Sequence, residues 1–76
     1  MYTIKMTWKE ISYNGDWTTE DAWYVSGGFC FNIAEATRLT KKKAKDIANT
    51  LAANNKFRDP MWAYDIVLNN VRIVKA

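Results

Sequence analysis

Histidine is missing from this chain altogether, and with it the commonest general base and the commonest metal ligand. The single cysteine, Cys30, excludes an intramolecular disulfide and a thiolate metal site, and no Cys–His pair exists for thiol catalysis. Set between Phe29 and Phe31, it reads as an inert buried thiol. Glycine is scarce, and the one Gly-Gly pair, Gly27-Gly28, is a turn without the following residues of a phosphate-binding loop. Glu20 and Asp21 are adjacent acids in a polar stretch and read as solvated loop charge. No catalysis, no cofactor and no metal are therefore expected. Apolar runs fall far short of the roughly 18 residues of a membrane span, so no membrane partner is expected either. The residues after Met1 alternate like a strand and lack the apolar block of a signal peptide. Together with the missing disulfide framework, this predicts a soluble cytoplasmic protein, complete as written.

What is present is charge sorted by position. Between positions 10 and 35 the ionisable side chains of Asp, Glu, Lys and Arg are Glu10, Asp16, Glu20, Asp21 and Glu35, all acidic. Over 38–58 they are Arg38, Lys41, Lys42, Lys43, Lys45, Lys56 and Arg58, opposed by Asp46 alone. The net charge of +3 thus conceals a dipolar chain, able to steer a charged partner over about a Debye length, ~8 Å at physiological salt. Aromatics are abundant as well: four Trp, four Tyr and three Phe in 76 residues imply an aromatic-rich core or a core with an aromatic contact surface.

The pattern predicts one domain, 1–76, of class α+β: a small antiparallel sheet with one amphipathic helix on a face, in the order β-β-α-β-β. Tyr2, Ile4, Met6 and Trp8 alternate with Thr3, Lys5, Thr7 and Lys9, a strand running to about Ile11. Asn14-Gly15 suits a tight turn, and 22–26 reads as the returning strand, broken by Gly27-Gly28 and resumed at Phe29. Asn32 with Glu35 fits a capping box, and Thr40 fits the cap of the main helix. There Ala44, Ile47, Ala48 and Leu51 form an apolar stripe with Lys42, Lys45 and Asn49 opposite. Asn54 or Asn55 is expected to close that helix in a left-handed conformation, and Asp59-Pro60 to turn the chain. Trp62, Tyr64, Ile66 and Leu68 start a further strand, with Asn69-Asn70 as a two-residue hairpin turn before a last strand over 71–75.

Trp8 and Trp62 fit apolar strand faces and are assigned to the core. Trp17, in the acidic 14–21 loop, is either an exposed binding anchor or a lid on the core. Trp23 and Tyr24 fall on opposite strand faces, which exposes one of them in part. Lys41, Lys42 and Lys43 occupy the first helical turn, where the backbone dipole disfavours cations by about 0.3–1 kcal/mol each. They are either a solvated face or, with Arg38 and Lys45, an anion-seeking patch.

The stretch 31–48, which passes from Phe31, Asn32, Ala34 and Glu35 through Thr40 into Lys41, Lys42, Lys43, Ala44, Asp46 and Ala48, resembles a pattern in small accessory proteins of bacteriophages. In those, an acidic turn leads through an apolar-Thr/Ser step into a charged helix framed by strands. They include inhibitors of host enzymes and of host defence, among them anti-CRISPR proteins. The resemblance implies a non-catalytic binder, in the host cytoplasm if phage-encoded. Lys at positions where that pattern commonly has an acid argues against imitation of DNA. The expected function is inhibition or redirection of a host protein, such as a defence nuclease complex, through a rigid basic and aromatic surface. The alternative is nucleic-acid binding through segment 38–58. The candidate contacts are Arg38, Lys41, Lys42, Lys43, Lys45 and Trp17, and a homodimer joining acidic to basic regions is compatible with either.

Overall fold

Alternation from Tyr2 to Lys9 sets up the first strand, the spine of a five-stranded antiparallel sheet in a computed structural model, which describes residues 1–58 and 64–76. The strands are β1 (Tyr2–Ile11), β2 (Trp17–Val25), β3 (Gly28–Cys30), β4 (Lys56–Arg58) and β5 (Asp65–Lys75), and one helix, α1, spans Lys41–Ala53. Their spatial order is β3-β2-β1-β5-β4, so β1 lies at the centre with β2 and β5 beside it. The α+β class expected from the pattern is present, with two short edge strands that the periodicity did not separate.

One face of the sheet carries Ile4, Met6, Ala22, Ile66 and Leu68, which bury against Leu39 and the Ala44 side of α1. Ile47, Ala48 and Leu51 complete the helical stripe but are only half-buried. Thr40 caps the helix by accepting from Lys43 N at 3.3 Å, as its position ahead of the Lys run predicts. The helix ends at Asn54 with φ −121°, not in the left-handed region, because Asn54 N and Nδ2 both bond Thr50 O and so satisfy the last turn directly. Asn32 caps a short 3-10 turn, Ile33–Glu35, through Ala34 N, whereas the capping box placed this bond at the Glu35 amide.

Two further expectations change. The returning strand starts at Trp17, five residues earlier than the pattern predicted, because a compact turn between Ser12 and Asp16 closes the hairpin at once. Ser12 N donates to Asp16 O at 2.8 Å, and Gly15 takes φ +91°. Asn69-Asn70 is not a hairpin turn: β5 runs through it unbroken. The register shifts there, Thr7 pairing with Asn69 but Lys5 with Arg72, so Asn70 and Val71 together face Met6 in a β-bulge. Asn70 takes φ 55°, the left-handed conformation asparagine tolerates, and the long β1 supplies a partner on both sides of it. The bulge keeps Leu68 and Ile73 on the same face. Asn70→Val is therefore expected to lower stability by about 1–2 kcal/mol in urea unfolding, and Asn70→Gly to be neutral. Deleting Asn70 should restore an uninterrupted register with the same residues inside, and the fold should survive. The predicted Asp59-Pro60 turn and the core assignment of Trp62 lie outside the described residues.

Candidate functional surfaces

The sheet curls until its two edges meet over the central strand. Phe29 on β3 and Phe57 on β4 stack with ring centroids 6.0 Å apart, although three strands separate them in the sheet. Trp8 of β1 lies against both, at 5.3 Å and 5.6 Å, and against Phe31 at 5.4 Å, each edge to face. Its indole Nε1 donates to Glu10 Oε1 at 3.0 Å, which fixes the ring. Of the rings in this hub, Phe31 is 49% exposed and Phe57 38% exposed; Ile33, two residues after Phe31, is 49% exposed as well. Trp8, expected in the core, is half-buried: it packs against the core cluster and also carries an exposed aromatic patch. Alternation alone does not reveal that patch, since Phe31 and Phe57 are 26 positions apart and belong to opposite edges.

The candidate contacts chosen from sequence are split between two ends of the molecule. Leu39 bonds Tyr2 through both backbone groups, which sets Arg38 and the start of α1 at the first end of β1. Arg38, Lys41, Lys42, Lys43 and Lys45 are all exposed there, and none forms an ion pair among the described residues. Trp17 pairs with Ile11 at the other end of β1, about 30 Å away along the strand. It is 60% exposed and is not a lid: Lys9 Nζ lies 4.6 Å from its ring centroid. Acidic Glu10, Asp16 and Glu20 gather at that hairpin end, but Lys56 and Arg58 join them through β4, so the charge sorting of the sequence survives only in part.

Cys30 is buried, its Sγ 3.3 Å from Asn32 O. Trp23 and Tyr24 are both half-buried, on opposite sheet faces. A groove of about 300 Å³ runs between Tyr24 and the helix residues Asp46, Ile47, Thr50 and Leu51. A hollow of about 440 Å³ beside β4 is lined by Ile11, Phe57, Ile66 and Val67 with Lys56 and Asp65. Among the described residues, no three acidic or cysteine side chains converge as metal ligands would. No helix of the described residues is long and apolar enough to cross a membrane. No protein-family model, curated protein or solved structure matches this chain.

Proposed function

We propose that this chain is a non-catalytic binding protein of the phage accessory type, which inhibits or redirects a host protein by docking it on the patch of Phe31 and Phe57. The observation that supports this most is the clamping of two exposed phenylalanines, from opposite sheet edges, by one tryptophan. Rings held by edge-to-face contacts lose little freedom on binding, and buried aromatics are the usual anchors of interface hot spots. A host defence nuclease complex is one partner of this kind.

A second reading, nucleic-acid binding through segment 38–58, is favoured by the five exposed cations around the start of α1. Affinity capture from host cytoplasm, with and without nuclease, separates the two. Phe31→Ser with Phe57→Ser is expected to weaken capture of a protein by about 30-fold or more, the equivalent of one hot spot of ~2 kcal/mol, and nuclease to leave it unchanged. Undiminished capture by that variant overturns the proposal. Nuclease-sensitive capture, lost with Lys42→Glu and Lys45→Glu, replaces it with the second reading.

A further inference from the structure

The sheet face opposite α1 is an ordered lattice of cations and tryptophans. The strand registers align its residues in rows. Arg72, Lys5, Trp23 and Cys30 form one row; Asn69, Thr7 and Asp21 the next. Lys56, Val67, Lys9 and Thr19 follow, and then Arg58, Asp65, Ile11 and Trp17. Successive rows lie about 6.8 Å apart, two residues of antiparallel strand.

The two acids opposite β1 and β4 cations are already matched, Asp21 to Lys5 at 3.6 Å and Asp65 to Arg58 at 3.0 Å. Lys9, Lys56 and Arg72 have no acidic partner among the described residues. Arg72 is held in place by the bulge, since its Nη1 donates to Asn70 O at 2.9 Å. Lys9 and Lys5 each lie over a tryptophan ring, at 4.6 Å and 5.5 Å, which places positive charge beside an aromatic surface twice on one face. Trp23 Nε1 is buried without a hydrogen-bond partner among the described residues, so this ring, unlike Trp17, contributes its exposed edge and not a donor.

We infer that this face binds single-stranded nucleic acid, with Trp17 stacking on a base and Lys9, Lys56 and Arg72 contacting phosphates. Charge complementarity and the interleaving of rings with cations select this ligand. Bases in a single strand expose their faces, whereas a duplex hides them. An acidic protein surface would use the cations but leave the exposed Trp17 ring unexplained. This inference does not rest on the protein-docking patch, which lies on the other face, nor on the basic start of α1.

The test is titration of the whole chain with an oligothymidylate of about 10 nucleotides, followed by tryptophan fluorescence. Binding is expected at low salt, with quenching, and with log affinity falling against log salt at a slope of about −2 for three phosphates. Lys9→Glu with Lys56→Glu should weaken it by at least tenfold and bring the slope to about −0.7. Trp17→Ala should cost about fivefold or more and remove part of the quenching. Lys42→Glu with Lys45→Glu, on the helix, should change affinity far less. Absence of binding at low salt overturns the inference, and so does binding lost through the helix reversals but kept by the sheet reversals. Equal affinity for duplex without quenching also overturns it. If the sheet reversals fail to fold by circular dichroism, Trp17→Ala and the salt slope of the unaltered chain decide the matter.

Discussion

Leu68→Ala is expected to lower the free energy of unfolding by about 2–5 kcal/mol, measured by urea titration. A domain of this length commands only about 4–11 kcal/mol in total, so the variant should sit near its unfolding midpoint at modest temperature. Leu68 is 2% exposed and belongs to the cluster of Ile4, Met6, Ala22, Leu39, Ala44 and Ile66. It pairs with Trp8 across the β1–β5 ladder, so truncation opens a cavity between sheet and helix that neither side can close without moving the ladder. Leu51 is a large aliphatic side chain at the end of the helical stripe, which the pattern alone turns toward the core, yet it is half-buried on the rim of the Tyr24 groove. Leu51→Ala should accordingly cost less than about 2 kcal/mol. Equal losses for the two leucines would mean that the core is centred on the helix, as the stripe alone suggests.

That contrast shows where local pattern stops being informative. Period two identifies Ile4, Met6, Ile66 and Leu68 as inward residues because each stays in step with its strand neighbours. It fails at Asn69-Asn70, where the same asparagine pair serves a hairpin or a bulge, and only the length of β1 decides between them. It fails also at Trp17, because Thr18, Thr19, Glu20 and Asp21 form an exposed strand without apolar alternation, held by pairing to β1. Capping chemistry is local and legible at Thr40; its counterpart at Asn54 is not, since backbone and side-chain bonds to Thr50 compete with the left-handed ending. The candidate surfaces are the least legible. The run of lysines before Ala44 is visible as charge, but the rows of Lys5, Lys9, Lys56 and Arg72 require the bulged register to be known first.

The aromatic hub gives the sharpest expectation about how this small sheet holds its shape. Trp8→Ala should cost about 3 kcal/mol or more, since a large part-buried ring is removed together with three edge-to-face contacts worth about 0.5–1.5 kcal/mol apiece. The loss should be uneven. β3 and β4 have only three residues each, and each pairs with a single neighbour, so their position depends on Phe29 and Phe57 meeting over Trp8. Hydrogen exchange in Trp8→Ala is therefore expected to accelerate in both edge strands, while α1 and the first half of β1, packed through Ile4, Met6 and Ala44, keep their protection. Trp8→Phe, which retains a ring but loses the bond to Glu10, should fall between the two. Because Phe31 and Phe57 rest on the same indole, the partner binding proposed for their patch should weaken in parallel with edge-strand protection. Uniform acceleration across the whole sheet would instead make Trp8 an ordinary core side chain, with no special part in closing the curl.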